Sequence, residues 1–166
     1  MKKLILLSLL SASIVVLYNS YTYAQNEVSF VSQSIDGKAF RLPVNELKSK
    51  AVRHFNHEFS FADNETWFKI RDGFTVKFMA NDIQYRVGYD KNGNWLNTVK
   101  LYHEAEMPQS IRRQIKSDYY DYAITLIEEL AIKNQLVYIV HIDNEKGFKK
   151  LYLADGEMKI MEEYSK

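Results

Sequence analysis

Tyr85-Arg86-Val87-Gly88-Tyr89-Asp90-Lys91-Asn92-Gly93-Asn94-Trp95 is the stretch on which the reading of this chain turns. Tyr85, Val87 and Tyr89 alternate with Arg86 and Gly88, the period of a half-buried strand, and Asn92-Gly93 is the strongest short hairpin signal in the chain. A returning strand must follow, and the pattern places it from about Trp95 to Tyr102. Working back from the hairpin, Asn81-Asp82 and Asp72-Gly73 mark two earlier turns. They set Phe74, Val76 and Phe78 apart from Phe68 and Ile70, so that four short strands run as a meander. Ahead of them Val44, Leu47, Ala51, Phe55 and Phe59 recur at three- and four-residue steps, with Pro43 in the first turn, which predicts an amphipathic helix.

From Pro108 the same order is predicted again. Ile111, Ile115, Tyr119 and Tyr122 trace a helical stripe, and strands follow near residues 123–131, 135–142, 148–153 and 158–164, with turns at 144–147 and Asp155-Gly156. Pro43 and Pro108 lie 65 positions apart, and Gly93 and Gly156 lie 63 apart. A period this constant predicts an internal duplication, with repeats at 42–104 and 107–166 and with Phe55 and Tyr119 as equivalent core positions. One helix can cover only one face of four strands. Joined edge to edge, the two units predict one α+β domain, in which a continuous, curved antiparallel sheet carries both helices on one face and leaves the other open.

The N-terminus reads as a cleavable secretory signal over residues 1–24. Lys2 and Lys3 precede an uncharged run from Leu4 to Leu17, and Thr22-Tyr23-Ala24 places small residues at the −3 and −1 positions of the cut. That run of 14 residues is shorter than the roughly 20 apolar residues that span a bilayer. Residues 25–41 form a polar lead-in with room for one short edge strand. Removing 24 of 166 residues leaves 142, a single domain's length, destined for the periplasm or for secretion. The chain has no cysteine, which excludes thiol catalysis, thiolate metal sites and disulfides. Loss of Lys2 and Lys3 lowers the basic residues from 22 to 20 against 21 acidic ones, a net charge of −1 that gives no electrostatic support for nucleic acid or a membrane surface as partner.

Four runs carry a family resemblance: Asp72-Gly73-Phe74-Thr75-Val76-Lys77-Phe78, the opening run from Tyr85 to Trp95, the pair Met107-Pro108, and Leu151-Tyr152-Leu153-Ala154-Asp155-Gly156-Glu157. Together they resemble the exported PepSY-like proteins, also called beta-lactamase-inhibitor-like, over about residues 42–163. Met107 stands where that family usually has Leu. The resemblance implies a periplasmic or secreted protein built of tandem helix-plus-sheet repeats. It also implies a binding role: PepSY modules are suspected of restraining peptidases, and the beta-lactamase inhibitor protein grips its enzyme with the open face of its sheet. The family supplies no catalytic residue to carry over.

The residues themselves offer no catalytic set, metal site or cofactor motif. His54-Phe55-Asn56-His57-Glu58 has its Glu after the second His, the reverse of the inverted zincin order, and the helical period turns both His away from the Phe55 stripe toward solvent. Asp90 to Asn94 imitates the start of a calcium loop, but Trp95 and Leu101 occupy the positions that need Gly and Glu. No G-x-S-x-G elbow is present, and His103 and His141 fall in predicted strands without an evident partner. The neighbours Glu128-Glu129 and Glu162-Glu163 point to opposite faces of a strand and read as solvated edges.

Strand parity predicts a binding surface instead. If Phe68, Ile70, Trp95, Val99 and Leu101 share the helix side with the central apolar sets, the open face carries Trp67, Lys69, Arg71, Lys77, Arg86, Lys100 and Tyr102. Five of these are basic and none is acidic. Such a face suits an acidic extracytoplasmic protein or peptide, with Trp67, Arg71 and Arg86 as anchors, since Arg and Trp dominate interface hot spots. It would equally serve as a solvated face on which Lys discourages edge pairing. The sequence therefore reads as a non-enzymatic binding or inhibitory module, with an envelope hydrolase or a structural or small-ligand-binding envelope protein as the alternatives. An enzyme would need a deep pocket with convergent polar groups.

Overall fold

The computed structural model describes residues 40–166, so the expected signal (1–24) and most of the lead-in (25–39) lie outside the described residues. A two-residue strand, β1 (Phe40–Arg41), pairs with β2 (Asp63–Ile70). Between them come a single 3-10 turn, Val44–Glu46, and helix α1 (Ser49–Glu58). Strands β3 (Gly73–Ala80), β4 (Ile83–Asp90) and β5 (Trp95–Tyr102) complete the meander. A second 3-10 turn (Glu104–Glu106) and helix α2 (Gln109–Asp118) precede β6 (Ala123–Ile132), β7 (Gln135–Asn144), β8 (Gly147–Ala154) and β9 (Glu157–Ser165). The strands lie in sequence order in one open sheet, each antiparallel to its neighbours, eight of full length beside the short β1.

The helices are shorter than their apolar stripes. Leu47 is extended (φ −82°, ψ 154°), which separates the 3-10 turn after Pro43 from α1. Met107 is extended in the same way because the proline after it disfavours helical backbone. Phe55 is buried in α1, and the buried residue of α2 is Ile115, which corrects the predicted equivalence of Phe55 with Tyr119. Tyr119 instead caps its helix, its N–H donating to Ile115 O at 2.9 Å just as Phe59 N–H donates to Phe55 O at 2.8 Å. The two halves are offset by 60 positions at the helices, and the extra residues enter later, where β6 and β7 run for ten residues against eight in β2 and β3.

Both helices lie on the same side of the sheet. Phe55 meets the Trp67 and Phe78 rings edge-on, with centroids 5.4 and 5.5 Å apart, while Ile115 packs among Ile127, Val140 and Leu151. Register carries this face from β3 to β7: Phe78 lies opposite Tyr85, Tyr85 opposite Lys100, Lys100 opposite Glu129 and Glu129 opposite Tyr138. Where the two apolar clusters meet, Glu129 is only 8% exposed, which corrects its reading as a solvated edge. Lys100 Nζ stands 2.7 Å from its Oε1, and the Tyr102 hydroxyl donates to its Oε2 at 2.6 Å. Burial, followed by the hydrogen bond to this carboxylate, holds the Tyr102 phenol well above its ordinary pKa, so it remains a neutral donor. A buried carboxylate is tolerated only with such partners, and Glu129 thereby ties β5 to β6 at the midline of the sheet.

The Asn92-Gly93 hairpin is present. Asp90 Oδ1 accepts from the backbone N–H groups of Asn92 and Asn94, each at 2.8 Å, and Oδ2 accepts from Asn94 Nδ2 at 2.7 Å. The Asn94 side-chain bond, followed by the backbone bonds, holds the Asp90 carboxyl below its usual pKa. Gly93 adopts φ +83°, and a Cβ there would stand 3.0 Å from Ala51 N, so the turn packs directly on the start of α1.

Candidate functional site

The other parity of each strand builds the face away from the helices. One row runs through Lys77, Arg86, Val99 and Leu130, and a second through Phe68, Thr75, Gly88 and Asn97. A third places Met79 opposite Gln84 and Leu101 opposite Glu128. Both α-helices of the described residues pack on the opposite side.

Of the seven predicted binding residues, only Lys77 and Arg86 belong to these rows. Trp67 (3% exposed) and Tyr102 (2%) are buried in the two clusters under the helices, and Lys69 and Lys100 share that side, opposite Phe74 and Tyr85. Arg71 lies in the exposed β2–β3 turn. Two features caused the misplacement. In Thr66-Trp67-Phe68-Lys69-Ile70 each parity holds a large apolar residue, and Phe55 takes the Trp67 ring as its partner, which sends Phe68 and Ile70 to the other face. In β5 the pairing slips between Gly88 and Tyr89: Trp95 lies opposite Tyr89 but Asn97 opposite Gly88. This bulge inverts the parity of everything after Trp95, bringing Thr98, Lys100 and Tyr102 under the helices and Val99 and Leu101 to the far side. The predicted acid-free set of five cations is thus corrected to one cation pair bordered by Glu128.

Lys77 and Arg86 are direct cross-strand partners. Like charges in that relation repel. Burial, and then the charge of Arg86, lowers the Lys77 pKa, while burial lowers that of Arg86 against a smaller opposing effect of Glu128. Lys77 Nζ lies over the Phe68 ring, 5.6 Å from its centroid. Thr66, Phe68, Lys77, Met79 and Gln84 line an open cleft of about 420 Å³ that ends at Asp63 and Asn64, and Met79 at its rim is 63% exposed. A second cleft, of about 520 Å³, lies at the start of α2, where Arg112 Nε already donates to Glu104 Oε1 at 2.6 Å.

Asn97 was missed by sequence reasoning, because its face depends on the bulge. The residue is 1% exposed, and its Oδ1 is buried without a hydrogen-bond partner. Gly88 opposite makes room for it: a Cβ on Gly88 would lie 3.0 Å from that oxygen.

Of the histidines, His57 points to solvent as expected, and the others have partners that the sequence did not show. His54 does not point to solvent: its Nδ1 lies 3.0 Å from the Tyr89 hydroxyl and its ring stacks near Trp95. His57, 83% exposed in its side chain, stands 2.8 Å from Glu58. His103 falls just past β5, 2.8 Å from Thr125 O, and His141 Nε2 is 3.3 Å from Glu128 Oε1, so each has a partner that its sequence neighbours do not reveal. Among the described residues no three His, Asp or Glu side chains come together as a metal-ligand set.

Known proteins resemble this chain in fold. A BLIP-like protein of Bacteroides fragilis superposes with a TM-score of 0.57 at 17% identity, over 75% of this chain and 87% of its own. A candidate periplasmic protein of Bacteroides eggerthii gives 0.53 at 10% identity over 72% and 88%, and a DUF2874 family protein of Bacteroides uniformis gives 0.53 at 12% over 70% and 88%. At such identities the likeness is one of fold, and the chain has the α+β fold of the BLIP-like proteins. No family model matches the chain. No curated protein matches it either. Among the described residues no helix is long and apolar enough to cross a membrane.

Proposed function

We propose that this chain is an exported, non-enzymatic binding module that receives an acidic protein or peptide on the sheet face opposite its helices. Its main support is the Lys77–Arg86 pair: two cations lie directly opposite each other on a face to which neither α-helix contributes, and a concentration of positive charge favours an acidic partner. Phe68 and the exposed Met79 supply apolar area beside the charges, and aromatic residues, Met and Arg are enriched at interfaces. The signal-like N-terminus and the candidate periplasmic protein of the same fold agree with action outside the cytoplasm, and the BLIP-like neighbour with an inhibitory outcome of binding. On this proposal the chain is PepSY-like, and its two units of helix and four strands descend from one duplicated repeat.

Capture of envelope proteins on the immobilised chain at low salt tests the proposal. Lys77→Glu/Arg86→Glu should abolish capture and its salt sensitivity, whereas Lys69→Glu/Lys91→Glu, with the same charge change away from this face, should leave capture intact. Equal capture by the wild type and the first double variant would refute it.

A further inference from the structure

Among the described residues β9 ends the sheet with β8 as its one neighbour, so its outer edge faces no strand. Such an edge is a template for another strand, and folds commonly blunt it. The opposite end of the sheet is blunted: β1 covers Phe68 and Lys69, and farther along β2 Asn64 has φ +59° beside a register shift. In contrast, β9 keeps eight paired positions and exposes two large side chains, Ile160 (46%) and Tyr164 (62%). The β8–β9 register decides what this edge can accept. Pairing slips once, between Leu151–Ile160 and Lys150–Glu162, which makes Met161 an extra residue in β9. Lys159 and Glu162, three apart in sequence, would point to opposite faces of a regular strand. The bulge sets both on the face away from the helices, opposite Tyr152 and Lys150, one ladder step to either side of Ile160. Ile160 itself lies opposite Leu151, on the helix side.

In a two-fold pair of antiparallel strands, positions equally far from the axis meet, and they must share a face. An axis at Ile160 satisfies this: Ile160 lies against its counterpart, and Lys159 of each copy lies against Glu162 of the other. We propose that β9 is a self-association edge, through which two copies of this chain join antiparallel into one longer sheet, with Ile160 on the axis and two Lys159–Glu162 ion pairs beside it. Within one copy Lys159 Nζ lies 2.9 Å from Glu157 Oε2, and Lys150 Nζ lies 3.7 Å from Glu162 Oε1. The Lys159 and Glu162 side chains are still 45% and 41% exposed, so the second copy's charges add to these contacts. Pairing also buries an apolar side chain that a single copy leaves in water, and it adds main-chain hydrogen bonds along the edge. The acidic partner proposed above plays no part in this association.

Sedimentation velocity of the full chain from about 1 µM to about 1 mM tests the association. The average mass should rise toward twice that of one chain. Ile160→Lys, which sets like charges against each other on the axis, should keep the chain monomeric. Lys159→Glu should weaken association about tenfold, and the charge swap Lys159→Glu/Glu162→Lys should recover most of the loss. The chain has no cysteine, so disulfides can read the register directly. Opposite Cα atoms in an antiparallel pair are about 4.5 to 5.5 Å apart, within disulfide reach. Under mild oxidation Ile160→Cys should cross-link to itself, and a mixture of Lys159→Cys and Glu162→Cys should cross-link one to the other. Tyr164→Cys is a control, more exposed than Ile160 but far from the axis, and should stay uncross-linked. The proposal is overturned if the chain is monomeric throughout this range, which would assign the bulge and the charges to guarding the edge. It is overturned equally if Ile160→Lys associates as tightly as the wild type, or if Tyr164→Cys cross-links as fast as Ile160→Cys.

Discussion

The two halves of the sheet solve one packing problem with different chemistry. Under α1 the cluster is largely aromatic, with Phe55, Trp67, Phe74, Phe78, Tyr85 and Tyr89 among its members and the Phe78 and Tyr85 rings stacked 4.6 Å apart at 5°. Under α2 it is largely aliphatic, with Ile115, Ile127, Val140, Ile142, Leu151 and Leu153. The shared element order sets only which positions face inward, and either ring geometry or branched-chain interlocking fills the space. The halves differ on the other face as well: the cation pair and the Gly88–Asn97 feature belong to the first, whereas the second places Glu128 beside His141.

The largest effect that separates the halves should come from truncating the two helix anchors. Phe55→Ala should lower unfolding free energy by about 4 kcal/mol and Ile115→Ala by about 3 kcal/mol, because the lost ring leaves the larger cavity. Denaturant titration measures both, and a greater loss for Ile115 would break the comparison.

A smaller contrast lies in the turns. Gly93 (φ +83°) and Gly156 (φ +79°) both adopt backbone that favours glycine, but a Cβ would press on α1 only at Gly93, while nothing lies within 4 Å at Gly156. Gly93→Ala should therefore cost about 2 kcal/mol and Gly156→Ala about 1 kcal/mol. Equal losses would mean that the first hairpin does not brace its helix.

The smallest effect is one of pH. Asp90 organises its turn with a carboxylate, whereas Asn144 does the same work in the second half with a neutral amide, its Oδ1 accepting from the N–H groups of Lys146 and Gly147 at 2.9 and 3.1 Å. Because the Asp90 pKa is depressed in the fold, its contribution is complete above the ordinary carboxyl pKa near 4 and is lost as pH falls through the folded value. Thermal midpoints from pH 6 to pH 2 should thus converge between the wild type and Asp90→Asn, and should stay parallel between the wild type and Asn144→Ala. Parallel curves for Asp90→Asn would remove the distinction.

Local pattern made most of the fold legible. The Asn92-Gly93 turn, the alternation in Phe74-Val76-Phe78 and Tyr85-Val87-Tyr89, and the spacing around Phe55 each report a property of a few adjacent residues, and each corresponds to the element found. The candidate site was legible only in β3 and β4, where a single parity is apolar, and there Lys77 and Arg86 were placed on the correct face. In β2 both parities are apolar, and the choice of Trp67 over Phe68 lay with Phe55, a residue of another element.

What the sequence by itself determined is the class of most described segments, the order of strands and turns, and the absence of thiol chemistry, since these follow from local periodicity and composition. Tertiary structure alone decided which side of β5 meets the helices. A side-chain period of two means that one extra residue inverts a face, and the slip between Trp95 and Asn97 is visible only against Gly88 and Tyr89 of the neighbouring strand. That slip moved Tyr102 into the interior and Lys100 to the helix side, both beside Glu129, and it put Asn97 on the other face, the one that carries the cation pair.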